Sequence, residues 1–111
     1  MAPVLSQLRR GVLEYCVLAL LRDGERYAFE LVRTLAEAES MVTSEGTLYP
    51  LLGRLRREGL VETTWRESPS GPPRRYYTLT VEGESVLDAF MFEWFRFSRS
   101  VDGLLATGNT A

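Results

Sequence analysis

A chain of 111 residues with 45% apolar and 25% charged side chains has the composition of one ordinary globular domain, large enough to bury a core without disulfides. It has no histidine and a single cysteine, Cys16, which excludes histidine-dependent triads, the common zinc ligand sets and a thiolate metal site. No pair of acids stands out for carboxylate chemistry, so neither an enzyme nor a bound metal or other cofactor is expected. The net charge of −2 is unevenly spread: residues 1–22 come to +2, 23–40 to −3, 41–80 to +2 and 81–111 to −3. All 13 basic residues are arginine, the side chain suited to bidentate phosphate and guanine contacts. A local basic face, and not the total charge, decides whether such a chain meets nucleic acid.

In chain order, Ser6 can cap a first helix that runs to about Arg22, with Asp23-Gly24 as its stop. Its apolar stretch over 12–21 is about half the length that spans a bilayer, and no small-residue cleavage site follows it. It reads as the buried central helix of a cytoplasmic protein, with Cys16 as core filling. A second helix is expected over 27–39, with Phe29, Val32, Leu35 and Ala36 on one side. The third starts at the N-cap Ser44 and ends at Gly59. Leu48, Leu51, Leu52 and Leu55 form its inner stripe; Thr47, Arg54 and Arg57 face the other way. Pro50 inside it predicts an irregular first turn.

"LVETTWR" (60–66) and "RRYYTLT" (74–80) switch to strand-type residues. The intervening "ESPSGPP" reads as a stiffened turn that delivers Arg74 and Arg75 at the tip of a hairpin. Thr80 then caps a long last helix to about Leu105, and the tail over 106–111 is expected to be disordered. In that helix Leu87, Phe90, Trp94, Phe97, Val101 and Leu104 are spaced alternately by three and four. That is a heptad seam, and in so small a domain it needs a partner, here a second copy of the chain. Met91 and Phe95 widen the stripe. Trp94, with Phe90, Met91 and Phe97 around it, is either a platform for a planar aromatic ligand or simply core packing.

Three helices, two strands and a helix make a mainly α fold with a small hairpin: a winged helix-turn-helix over 5–80 followed by a dimerisation helix over 81–105. In that architecture the third helix enters the major groove and the hairpin, or wing, lies along the backbone or an adjacent minor groove. Arg74 and Arg75 then have phosphates to meet.

"GTLYPLLGRLRREGLVETTW" and "PPRRYYTLTVEGESVL", with "LRRGVLEYCVLALL" and "YAFEL" before them, resemble the PadR family of bacterial transcriptional regulators over roughly residues 8–90. The single helix after the wing resembles its small subfamily. The resemblance implies a dimeric repressor, and for some members release from DNA when an aromatic or drug-like molecule binds beside a tryptophan at the dimer centre. It implies recognition-helix roles for Ser44, Gly46, Thr47, Tyr49, Pro50 and Arg54, and backbone contacts for Arg74 and Arg75. The chain departs from the family in carrying Ala28-Phe29 where Gly-Tyr is usual, and Gly53 where a polar residue is frequent.

Alternatives stand beside several of these roles. Tyr49 either reaches DNA or packs inward; Ser44 and Thr47 either contact DNA or only cap; Arg57 either meets phosphate or complements the helix dipole. The expectation is a homodimeric, sequence-specific regulator on a pseudo-palindromic operator. The alternative is a winged-helix protein-interaction module without DNA affinity, which has no need of Arg54, Arg57, Arg74 and Arg75 on one face.

Overall fold

In the computed structural model, which describes residues 4–107, the expected first helix is two: α1, Val4–Arg10, and α2, Leu13–Leu21. Glycine costs about 1 kcal/mol in a helix interior, and the chain parts at Gly11. The Val12 N–H donates to the Arg9 carbonyl at 3.1 Å, a tighter turn than the α-helix allows. α1 therefore swings away, and Arg9 Nη1 donates to the Ser40 carbonyl at 2.8 Å. α2 remains central, with Leu13, Val17, Leu18 and Leu21 buried.

A two-residue strand β1, Arg26–Tyr27, precedes α3, Ala28–Ala36, whose start is fixed by the Tyr27 N–H donating to the Glu30 carboxylate at 3.1 Å. α3 stops three residues short of the expected end, because the N–H groups of Glu37 and Ala38 turn back to Thr34 and Leu35. A 3-10 turn, Glu39–Met41, leads into α4, Glu45–Arg57. There both predicted caps form. Ser44 Oγ accepts the Thr47 N–H at 3.2 Å. Gly59, at φ +77°, lets its own N–H and that of Leu60 return to the carbonyls of Arg56 and Leu55. The helix is unbroken at Pro50, against the irregular turn expected. The Leu48 N–H closes the first turn onto the Ser44 carbonyl at 3.0 Å, and the donor that proline lacks faces Gly46, an exposed residue.

The hairpin is longer and tighter than its sequence suggests. β2, Val61–Ser68, and β3, Gly71–Leu79, are joined by only two residues, 69 and 70, and β1 adds a third antiparallel strand in the order β1-β3-β2. Pro72 and Pro73 thus lie inside β3, beside the register irregularity between Arg66 and Ser68, where a proline need not donate to a ladder. Arg74 and Arg75 pair with Arg66 and Trp65, so they stand on the shaft of the wing and not at its tip.

The last helix, α5, Val81–Ala106, begins at Thr80, whose Oγ1 accepts the Gly83 N–H at 2.9 Å and donates to the Gly59 carbonyl at 2.7 Å. One hydroxyl thereby ties the end of α4 to the start of α5. Leucines from α2, α3, α4 and α5 meet in the core with Val61 and Tyr77. Beyond that core α5 runs on, at 26 residues about 39 Å long. The expected tail is helical at Ala106; residues 108–111 lie outside the described residues. No helix among the described residues is long and apolar enough to cross a membrane.

Candidate nucleic-acid interface

The inward leucines of α4, Leu48, Leu52 and Leu55, are fully buried. By helical period the opposite line is Gly46, Pro50, Gly53 and Arg57. The outward face carries only small residues before Arg57, whose Nη1 reaches back over Gly53, 3.4 Å from where a Cβ would stand. Thr47 and Tyr49 stand on its two flanks, both exposed. Slight desolvation, then the charges of Glu45 and Tyr77, push the Tyr49 phenol above its usual range. The Ser44 hydroxyl is held by its cap and by donation to Thr47 Oγ1 at 3.3 Å.

Arg54 does not stand free on the outer face. It turns to the flank beside α2, its Nη2 3.3 Å from Glu14 and its Nη1 3.3 Å from Glu58. Partial desolvation alone would lower its pKa, but the carboxylates of Glu14 and Glu58 more than reverse that and hold it charged. Arg57 and its neighbour Arg56, by contrast, form no ion pair among the described residues.

On the wing, the Arg74 guanidinium lies 4.5 Å over the Tyr27 ring and that of Arg75 4.8 Å over Trp65. Arg75 Nε is buried with no hydrogen-bond partner among the described residues. A cleft of about 420 Å³ between wing and α4 is lined by Tyr27, Tyr49, Trp65, Pro73, Arg74 and Arg75, with Tyr77 at its base. Sequence reasoning offered Tyr27 as a substitute for the hydroxyl missing at Ala28-Phe29 but missed Trp65. Trp65 was within reach had the two-residue turn been placed, since that turn sets it opposite Arg75. Arg66, a third basic residue of the wing, is taken by Glu25 at 2.6 Å.

The α5 residues separate into two groups. Leu87 is 1% exposed and belongs to the chain's own core, which corrects its place in an intermolecular seam. Phe90 stacks on Tyr15, rings 4.0 Å apart and 4° from parallel. Trp94, Phe97 and Leu104 remain exposed, and Val101 is half-buried. A groove of about 840 Å³ runs between α1 and α5, with Leu8, Val12, Met41, Phe90, Trp94 and Phe97 among its walls. Met91 is not one of them; its sulfur lies 3.3 Å from Arg22 Nη1. On the far face sit Phe92, under Arg96, and Phe95, expected to widen the seam stripe, under Arg99. Among the described residues no group of three acidic, cysteine or histidine side chains is placed to hold a metal ion.

Residues 17–89 match the transcriptional regulator PadR-like family. The chain is 43% identical to a PadR-like transcription factor from Bacteroides fragilis, over 89% of this chain and 95% of that one, with a TM-score of 0.76. It is 39% identical to a PadR-like transcriptional regulator from Bacillus cereus, over 89% and 96%, with a TM-score of 0.81. PadR of Bacillus subtilis, solved in complex with operator DNA, is 27% identical over 72% of this chain and 46% of its own, with a TM-score of 0.68.

Proposed function

The chain belongs to the PadR-like family of transcriptional regulators, and from that premise we propose that it is a cytoplasmic, homodimeric repressor that reads a pseudo-palindromic operator. The observation that carries the reading is the pairing of an outer face of small residues on α4 with two wing arginines held over aromatic rings beside it. A helix entering the major groove needs that clearance, and the phosphates alongside need cations presented in fixed positions. The Bacillus subtilis relative bound to operator DNA supports the same use of the fold. Ser44 serves as a cap, Thr47, Tyr49 and Arg57 face the groove, and Arg54 contacts DNA only after exchanging its carboxylates for phosphate.

Dimerisation is supported by Trp94, Phe97 and Leu104, at 46%, 63% and 73% exposure, along one side of a helix that its own chain covers only in part. The groove beside Trp94 suits a planar aromatic effector whose binding shifts the protomers and thereby the spacing of the two α4 helices.

A gel shift with duplex from the region flanking the protein's own gene, at stated salt, tests the DNA reading. A band competed by that duplex and not by random sequence supports it. Absence of any shift at low salt leaves the interaction-module alternative. For the effector, a Trp65→Phe variant isolates Trp94, and planar aromatic compounds should quench its fluorescence saturably. Trp94→Ala should lose their binding while staying a folded dimer.

A further inference from the structure

The break at Gly11 gives α1 a position that a continuous helix would not have. Ser6, Arg9 and Arg10 line a basin of about 690 Å³ together with Ser44, Thr47 and Arg54 of the α4 region. This basin lies on the flank of α4 that carries Thr47, Leu51 and Arg54, while Tyr49 lines the wing cleft on the other flank. Basic groups therefore border the recognition helix on both sides.

Four ionisable groups face the basin: Arg9, Arg10, Arg54 and Glu14. Glu14, the one acid, is already matched by Arg54 at 3.3 Å. Arg9 gives one N–H to the Ser40 carbonyl. Arg10 is exposed and makes no hydrogen bond or ion pair among the described residues, so its full set of donors is open. Hydroxyls of Ser6, Thr43 and Thr47 supply further donors around it, while that of Ser44 is already given to Thr47 Oγ1. A net positive, hydroxyl-lined basin of this kind fits a phosphate group.

The geometry points to Arg10 as a DNA backbone contact on the strand opposite the one gripped by the wing. This rests on the DNA-binding reading above and extends it. An α-helix with its side chains is about 10–12 Å across and the major groove about 12 Å wide, so the two flanks of α4 meet the phosphates of the two different strands. Arg74 and Arg75 take one strand; Arg10, with the hydroxyls beside it, takes the other.

The test compares the full chain with Arg10→Gln, using Arg99→Gln on α5 as a control of equal charge, on the same duplex across a salt series. Sedimentation checks that all three have the same oligomeric state. One phosphate contact per protomer is two per dimer, so Arg10→Gln should lower the slope of log affinity against log salt by about two, with Arg99→Gln unchanged. Discrimination between operator and random duplex should stay the same, because a phosphate contact carries no base identity. Within each half-site, phosphate ethylation interference should vanish at a few positions of one strand in Arg10→Gln and at positions of the other strand in Arg74→Gln with Arg75→Gln, the two strands exchanging roles in the second half-site. Wild-type binding with an unchanged slope or unchanged interference in Arg10→Gln overturns this contact alone. Failure of the wild-type chain to bind any duplex overturns the DNA reading, and the contact with it.

Discussion

An arginine that meets phosphate must give up much of its rotamer freedom, on the order of 2 kcal/mol for a free side chain. The wing reduces that cost in advance. The Arg75 guanidinium is held 4.8 Å over the Trp65 ring and that of Arg74 4.5 Å over Tyr27, which fixes where each cation sits. A partly exposed stack of this kind contributes about 0.5–1 kcal/mol. Trp65→Leu should therefore weaken DNA binding roughly two- to five-fold, Trp65→Phe should restore most of it, and neither change should matter in an Arg75→Ala background. Equal losses in the presence and absence of Arg75 would show that Trp65 acts independently of it. Arg54 poses the reverse case, a cation already engaged by Glu14 and Glu58. Glu14→Gln removes an acid from the α1-side basin and frees one partner of Arg54. Its salt slope should steepen by up to about one per protomer; a slope equal to wild type would place Arg54 outside the DNA contact.

At the scale of elements, the junction of α4, the wing and α5 depends on two neighbouring residues. Thr80 caps α5 and binds the Gly59 carbonyl, and Gly83 lies so close to Leu60 that a Cβ there would collide with its carbonyl oxygen and with the Leu79 side chain. Because the obstacle is backbone, it cannot swing aside. Gly83→Ala should cost about 1–3 kcal/mol, lowering Tm by roughly 4–8 °C for each kcal/mol in a domain of this size. Gly103, in the same helix, has nothing within 4 Å of an added Cβ, so Gly103→Ala should leave Tm unchanged or raise it. A Gly83→Ala protein as stable as wild type would mean that α5 can shift away from Leu60 at little cost. The same elements show why some boundaries were legible. The ends of α4 are set by Ser44 and Gly59, whose effects act within one turn, and both appear where the sequence places them. The break at Gly11 was not legible, since a lone glycine inside an apolar run is tolerated in many helices. The extent of β3 was misjudged because prolines at 72 and 73 ordinarily argue against a strand, and only the register irregularity makes room for them.

For the whole molecule, the decisive feature is the exposed apolar length of α5. The long axis of the molecule is 61 Å against 30 and 23 Å for the others. Trp94, Phe97 and Leu104 lie along a helix that its own chain covers only in part. Phe97→Glu combined with Leu104→Glu should give a folded monomer in sedimentation, since each buried like charge in a symmetric interface costs several kcal/mol. Operator affinity should collapse with it, because two half-sites are no longer linked. Leu87→Glu should behave differently and unfold the chain, because Leu87 is already inside the protomer core. If the double variant remains dimeric, the association surface lies elsewhere, and the far face with Phe92 and Phe95 becomes the candidate.

What the sequence determined by itself was whatever depends on near neighbours along the chain. The caps of α4 and α5, the leucine stripe at 48, 52 and 55, the wing's strand character and the aromatic density of the last helix all follow from side chains within a few residues of one another. Hydrophobic period and capping are local interactions, so they can be read in order. The availability of each charge was decided only by the tertiary structure. Arg54 meets Glu14 across 40 residues and Arg66 meets Glu25 across 41, while Arg10 is left open beside Ser44. Leu87 and Trp94 share one heptad pattern, yet one is core and the other surface, because α2 packs against the part of α5 up to Phe90 and Met91. A spacing in sequence sets which face a side chain takes; what lies against that face depends on the packing of elements far apart in the chain.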